Sequence, residues 1–270
     1  MGKYSKKRKR RPRTIPVLLA MTLFLACVTA ALLIYTPQEK TENLQLALPA
    51  IQSIPTETVE VPETTAETVP EETKRPVLPR LEEKAAQNPD MVGWIQIEGT
   101  KIDYPLMYTP NDPEKYLHKD FNGHFSVGGL PFLDAACRMD PASDNLLIYG
   151  HNMQNGTMFR PLLSYEQKNF WQEHPTIRLS SLYEEKTYEV IAALYDRVYF
   201  KTEEHFKFYQ FIDATNQASF DEAISYFREH ALYDTGLTAR YGDKLVTLVT
   251  CSYHVDNGRF LVVAREVTES

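Results

Sequence analysis

Three side chains in this sequence could together carry out acyl transfer: Cys251, His151 and Arg259. A cysteine thiol with a pKa of ~8.5 is mostly protonated at pH 7, so a nearby base or cation is needed to produce the nucleophilic thiolate. A histidine can serve as that base and then protonate a leaving amine. An arginine can donate hydrogen bonds to a developing oxyanion. The three residue types therefore indicate a cysteine acyl-transfer site, provided that the fold brings them together.

Predicted strands place these residues at one end of a sheet. Residues 245–250 are aliphatic or Thr, which is typical of a buried strand, and Cys251 follows directly. A polar loop ending in the turn formers Asp-Asn-Gly then leads to a second strand, RFLVVAREV. If the two strands form an antiparallel hairpin, Arg259 begins the second strand close to the point where Cys251 ends the first. His151 follows another apolar strand, residues 146–149, in a loop rich in Gly and Asn.

Other uses of the same residue types remain open from the residues alone. Cys137 could form a disulfide with Cys251, because disulfides persist outside the cell; without that bond, Cys137 is interpreted as a structural thiol. His254, three residues after Cys251, competes with His151 for the role of base. These two histidines and Cys251 could also form a crude zinc site, but structural zinc sites usually have four ligands. No metal site is predicted.

The remaining pattern of the chain predicts a mainly β fold. Phe220, Ile224 and Phe227 recur at helical spacing, which predicts an amphipathic helix over residues 217–231. Many strands, short turns and a few inserted helices predict a mixed β-barrel. The other predicted elements are a helix at 81–87, two strands within 94–107 on either side of a turn at 98–100, strands at 129–134, 145–149, 176–180 and 187–199, and a helical or turn-rich segment at 158–174.

The N-terminal part of the sequence is typical of a membrane anchor. Eight Lys and Arg residues lie within residues 3–13, and residues 15–35 form an uncharged segment long enough to span a bilayer as one helix. The basic flank predicts a cytoplasmic tail, residues 1–14, with the rest of the chain outside. A cleaved signal peptide is the alternative, although its apolar core is usually only about 7–15 residues long.

A linker is predicted between this anchor and the folded domain. Residues 36–78 are rich in Pro, Glu and Thr and contain no Gly, which is typical of a disordered segment, and the folded domain is predicted at 79–270. All 36 acidic residues of the chain lie after residue 36, so the part beyond the anchor is strongly acidic. This charge excludes general polyanion binding, and no nucleic-acid partner is predicted.

Several ordered motifs make the sequence resemble the class B sortases, which are membrane-anchored cysteine transpeptidases of Gram-positive bacteria. The similarity covers roughly residues 80–268, and its motifs in chain order are NPDMVGWIQIEGTKIDYPLM, YLHKDFNG, GGLPFLDAAC, YGHNM and TLVTC with an Arg eight residues later. The resemblance implies an eight-stranded sortase-type barrel with the helix 217–231 inserted before the seventh strand. It also implies that Cys251, His151 and Arg259 are catalytic and that no cofactor is required.

The resemblance further implies a function at the cell wall. Cys251 would cleave an LPXTG- or NPXTX-like sorting signal of secreted proteins and transfer the acyl group, through a thioester, to an amine of a peptidoglycan precursor or of a pilin. The predicted location is the plasma membrane, crossed once by residues 15–35. A hydrolytic cysteine peptidase and a non-enzymatic membrane-anchored binding module are the alternatives. Substrate binding is predicted for Asn152, Thr250, Ser252 and Tyr253, and two further residues, Asp134 and Asp256, are predicted to line the site.

Overall fold

The computed structural model describes residues 75–268, which form a mainly β domain. The predicted tail 1–14, the membrane segment 15–35 and the linker up to residue 74 lie outside the described residues. Among residues 75–268, no helix is both long and apolar enough to cross a membrane. The strands are β1 (Met91–Gln96), β2 (Asp103–Met107), β3 (Phe132–Leu133), β4 (Asn145–Tyr149), β5 (Thr176–Ser181), β6 (Glu185–Arg197), β7 (Leu245–Cys251) and β8 (Gly258–Glu266). The helices are α1 (Pro79–Gln87), α2 (Lys168–Glu173) and α3 (Gln217–Glu229), with 3₁₀ turns at Lys115–Leu117, Arg160–Glu166 and Phe208–Gln210.

The eight strands close into a barrel in the order β1-β2-β3-β4-β7-β8-β6-β5, and β5 pairs back onto β1. Every described strand therefore pairs with a neighbour on both sides, although β2 and β3 pair only at Met107 and Phe132. The pairs β2–β3 and β4–β7 are parallel and the others are antiparallel. Because β4 and β7 run in the same direction, their C-terminal ends lie next to each other. The loops that follow them therefore meet at one end of the barrel. The closed order of eight strands confirms the predicted eight-stranded barrel.

Strand β7 is buried along almost its whole length. Residues 245–250 are all buried, without the alternation of a half-exposed strand. Such a continuous apolar run is expected where both faces of a strand are covered. The 3₁₀ turn Arg160–Glu166 packs on β8, and helix α3 packs on β6.

Helix α3 lies between β6 and β7 in the chain, as predicted. It begins with a capping box: Ser219 N donates to Asn216 Oδ1 at 3.1 Å, and Asn216 N donates to Ser219 Oγ at 3.2 Å. Each buried Phe side chain contributes roughly 1.5–3 kcal/mol to the stability of the fold. The buried face of α3 consists of Phe220, Ala223, Ile224 and Phe227.

The prediction of a six-residue strand at 129–134 was wrong in its length. Only Phe132 and Leu133 pair as a strand. Gly129 has a φ of 55°, and Pro131 has no N–H to donate and only accepts a hydrogen bond, from Met107 N at 3.0 Å. The segment therefore remains mostly loop.

The end of the predicted linker contacts the folded domain. Val77 and Leu78 pack against a small apolar cluster around Leu81, and Leu78 N donates to Leu182 O at 2.7 Å. The segment predicted as helical or turn-rich, 158–174, contains the 3₁₀ turn Arg160–Glu166 and helix α2, as expected.

Candidate active site

Cys251 and Arg259 are direct cross-strand partners at the loop end of the β7–β8 hairpin. Ser252 N donates to Gly258 O at 2.9 Å, so Cys251 and Arg259 form a non-hydrogen-bonded pair. In such pairs the two side chains lie on the same face, with Cβ atoms about 4.5–5.5 Å apart. The hairpin therefore brings a thiol and a guanidinium together without help from any other element.

The loop that joins β7 to β8 follows the predicted turn chemistry. Asn257 has a φ of 57°, in the left-handed region that Asn tolerates better than most residues. A Cβ on Gly258 would lie 2.5 Å from Ser252 O, so only glycine fits where the chain re-enters the sheet. The close approach of Gly258 to Ser252 therefore fixes Arg259 as the second residue of β8.

His151 reaches the same end of the barrel from β4. Main-chain pairing of β4 with β7 runs to Tyr149 and Val249, and Gly150 N then donates to Val249 O at 3.1 Å. A Cβ on Gly150 would lie 2.6 Å from the ring of Phe159, and Phe159 N donates to His151 O at 2.9 Å. The loop after β4 therefore closes on itself immediately beyond His151.

A main-chain carbonyl orients the His151 ring. His151 Nε2 lies 2.9 Å from Leu117 O. Because a carbonyl oxygen can only accept, Nε2 carries the hydrogen in this contact, and Nδ1 is left to exchange a proton. The His118 ring stacks on the His151 ring with centroids 5.3 Å apart. The sequence analysis did not identify Leu117, since a main-chain acceptor requires no particular side chain.

All three predicted catalytic residues line one cavity of about 580 Å³. The guanidinium of Arg259 donates through Nη1 to Asn257 O at 3.2 Å and to Gly258 O at 3.0 Å, and it has no carboxylate partner among residues 75–268. Its other donors are therefore available to a ligand. The remaining lining residues are Pro113, Glu114, Leu117, Phe132, Leu133, Asp134, Ala135, Tyr149, Gly150, Val198, Phe208, Tyr209, Val249 and Thr250.

A tyrosine–aspartate pair forms part of this lining. Tyr149 Oη donates to Asp134 Oδ2 at 3.0 Å. Burial, reinforced by the Asp134 carboxylate, raises the pKa of Tyr149, although Arg259 acts in the opposite direction. The phenol is therefore a neutral hydrogen-bond donor at pH 7. Asp134 lines the cavity as predicted, whereas Asp256 is exposed in the hairpin loop and is not among the lining residues.

The four residues predicted to bind substrate have different surroundings. Thr250 lines the cavity and donates from Oγ1 to Gly150 O at 2.7 Å. Asn152 is buried, and its Nδ2 donates to Cys251 O at 2.8 Å. Ser252 is buried beside His254, and Tyr253 is 85% exposed. Of the four, only Thr250 is among the residues that line the cavity, and direct contact of any of them with substrate stays a prediction.

The alternatives to the catalytic assignment are not supported by the described contacts. Cys137 and Cys251 are both free thiols. Burial raises the pKa of Cys137 to about 12, so this thiol is not a nucleophile at neutral pH. His254 is exposed, contacts Ser252 Oγ at 3.0 Å and packs on Tyr195, away from the cavity lining. Among residues 75–268, no group of three or more His, Cys, Asp or Glu side chains is arranged to hold a metal ion.

Comparison with known proteins identifies the family of this domain. The family model described as the Sortase domain matches residues 95–267, which is more than half of the chain. The chain belongs to the sortase family. Sortase B of Listeria monocytogenes is 31% identical over 187 residues, covering 67% of this chain and 72% of the relative. Sortase B of Staphylococcus aureus is 28% identical over 203 residues, covering 72% of this chain and 77% of the relative.

The barrel is also similar to solved sortase B structures. A Staphylococcus aureus sortase B–substrate complex superimposes with a TM-score of 0.64 at 25% identity, covering 72% of this chain and 87% of that chain. The chain is thus a class B sortase, a cysteine transpeptidase that acts on surface proteins. The class predicted from the ordered sequence motifs is confirmed.

Proposed function

We propose that this sortase cleaves an LPXTG- or NPXTX-like sorting signal of secreted proteins and transfers the acyl fragment to an amine of a cell wall precursor. The observation that carries the proposal is that Cys251, His151 and Arg259 line a single cavity. The solved complex of a related sortase B with its substrate supports a peptide as the ligand. Apolar walls formed by Leu117, Phe208 and their neighbours suit the apolar residues of such a signal.

Each of the three residues has a defined part in the proposed reaction. Proton transfer from the Cys251 thiol to His151 yields a thiolate, which attacks the carbonyl carbon of the signal's Thr, and the resulting oxyanion accepts hydrogen bonds from Arg259. The C–N bond then breaks, His151 protonates the departing amine, and a thioester remains. The acceptor amine transfers a proton to His151, attacks the thioester and releases the Cys251 thiolate.

A peptide-library assay tests this function. The full-length protein is incubated with peptides that vary around the two signal types, with and without an amine acceptor, and the products are identified by mass spectrometry. We expect cleavage after Thr and an amide product when the acceptor is present. Hydrolysis at the same rate with and without the acceptor would indicate a cysteine peptidase. Transfer only to a Lys-bearing pilin peptide would indicate pilus assembly. Absence of any cleavage would favour a binding module.

The proposal includes attachment to the plasma membrane through residues 15–35, supported by the basic residues before this segment and its lack of charge. Anchoring would confine the enzyme to the surface at which exported substrates and lipid-linked acceptors arrive. Protease added to intact cells should then release the catalytic domain by cutting within residues 36–74. A protected domain would contradict the orientation, and a mature N-terminus near residue 30 would contradict the anchor.

Replacement of Arg259 by Lys should lower kcat/KM by about 10–10²-fold, although the positive charge is kept. A planar guanidinium can direct two donors at an oxyanion, whereas an ammonium is a compact donor on a flexible stem. Loss of one oxyanion donor costs about 10²–10³-fold in turnover. Kinetics on a sorting peptide measure the effect, with the exposed Arg240→Lys as the matched control. Activity close to wild type would show that only the charge matters, and a collapsed melting temperature would make Arg259 structural.

A further inference from the structure

Side-chain hydrogen bonds extend the pairing of β4 with β7 beyond the last main-chain pair of the two strands. Thr250 Oγ1 donates to Gly150 O at 2.7 Å, and Asn152 Nδ2 donates to Cys251 O at 2.8 Å. These two bonds join the residues on either side of His151 to two consecutive residues of β7. The loop that carries the base is therefore fastened to the strand that carries the thiol.

The hydrogen-bond pattern of β7 explains why Cys251 needs this partner. In the non-hydrogen-bonded pair with Arg259, the main-chain N–H and C=O of Cys251 point away from β8. On the other side, β4 ends at Tyr149 and offers no main-chain donor at this level. The Asn152 side chain supplies that donor and so takes the place of a missing strand residue.

Arg160 determines which way the Asn152 amide faces. Arg160 Nη1 donates to Asn152 Oδ1 at 3.1 Å. A guanidinium can only donate and a carbonyl can only accept, so the oxygen of the Asn152 amide must face Arg160 and its NH₂ must face Cys251. Asn152 is only 9% exposed, so little water is available to replace either bond.

We propose that Asn152, held by Arg160, is a positioning residue that keeps Cys251 in register with His151. The proposal rests on the proposed function, in which Cys251 is the nucleophile and His151 the acid and base. A displacement of about 1 Å between reacting groups can cost about 10²-fold in rate. The Asn152 side chain is bonded directly to the main chain of Cys251, and Asn152 is also the residue next to His151. Loss of this hydrogen bond is therefore expected to displace both Cys251 and His151.

This role differs from the substrate contact predicted for Asn152 from the sequence. Loss of a contact made equally to bound substrate and transition state raises KM and leaves kcat unchanged. Loss of the positioning bond lowers kcat, because the substrate still binds while the thiol and base are misplaced. The split between the two constants therefore separates the two roles.

The test compares Asn152→Asp with Asn155→Asp in the full-length protein. Asn155 lies three residues further along the same loop and is exposed. Its side-chain oxygen Oδ1 accepts hydrogen bonds from Thr157 N at 3.1 Å and from Thr157 Oγ1 at 2.6 Å. An aspartate at residue 155 keeps the Oδ1 acceptor. An aspartate at residue 152 loses the NH₂ group that donates to Cys251 O. We expect Asn152→Asp to lower kcat by about 10–10²-fold with KM within about twofold, and Asn155→Asp to change neither constant beyond about twofold.

Two further variants separate charge and folding from the loss of the donor. Asn152→Ala adds no charge and should lower kcat as much as Asn152→Asp. Arg160→Met should lower kcat several-fold alone and have no further effect in the Asn152→Ala background, because Arg160 acts through Asn152. These variants also provide the test if Asn152→Asp fails to fold, and thermal melts and alkylation of Cys251 by iodoacetamide confirm that the site is intact.

Specific results would overturn the positioning role. Unchanged kcat in folded Asn152→Ala, a rise in KM alone, or additive effects of the Asn152→Ala and Arg160→Met changes would each do so. Failure of the proposed function looks different: the wild-type protein would then not cleave sorting peptides, or Cys251→Ala would remain active, whatever residue 152 is.

Discussion

Replacement of Cys251 by Ala is expected to abolish both cleavage of a sorting peptide and formation of the thioester. The side chain supplies the atom that becomes bonded to the acyl group, and no other described residue can replace it, because the only other thiol among residues 75–268 is the buried Cys137. Removal of the nucleophile of a covalent mechanism lowers turnover by about 10⁶-fold, which is below detection in most peptide assays. Peptide cleavage measures the first effect, and the mass of the trapped acyl-enzyme measures the second.

The matched control is Cys137→Ala. The Cys137 thiol is fully buried, accepts from Leu147 N at 3.3 Å, and has a pKa raised by burial to about 12. Its loss should cost roughly 1–3 kcal/mol in the free energy of unfolding and leave kcat nearly unchanged. Substantial turnover by Cys251→Ala would refute the mechanism. Loss of activity in both variants, with a wild-type mass lower by two hydrogen atoms than expected for free thiols, would instead support a disulfide.

The elements that carry the site were predictable because their signals are local. The apolar strand before Cys251, the Asp-Asn-Gly loop and the strand after it specify a hairpin, and the hairpin alone pairs Cys251 with Arg259. Helix α3 was predictable for a similar reason, since its apolar residues recur at helical spacing over 13 residues. In both cases, short-range geometry decides the outcome.

The supporting contacts were not predictable because they join residues far apart in the chain. The approach of His151 to Cys251 depends on the parallel pairing of β4 with β7, which are separated by nearly a hundred residues. The Leu117 carbonyl that orients His151 lies at the end of a 3₁₀ turn, and a main-chain acceptor can be provided by any residue type. Asn152 was predicted to bind substrate, and nothing in the sequence indicated that its amide bonds the main chain of Cys251. Such contacts follow from the closed barrel rather than from any local pattern.

His151→Ala is expected to lower kcat/KM by about 10²–10⁴-fold, the range that general acid–base catalysis typically contributes. The variant loses the group that protonates the departing amine and accepts a proton from the acceptor amine, whereas Cys251 and Arg259 keep their cross-strand pairing. A small residual rate should therefore remain, in contrast to Cys251→Ala. Steady-state kinetics with a sorting peptide and an amine acceptor measure the loss in both half-reactions.

His254→Ala is the control that makes this result specific. His254 is closer to Cys251 in the sequence, but its ring packs on Tyr195 with centroids 4.5 Å apart and is not among the residues that line the cavity. His151, by contrast, lines the cavity and is held by Leu117 O through Nε2, which leaves Nδ1 for proton transfer. We therefore expect His254→Ala to change kcat/KM by no more than a few-fold. The reverse ranking would assign the base to the hairpin loop, and the Leu117–His151 contact would then have no catalytic purpose.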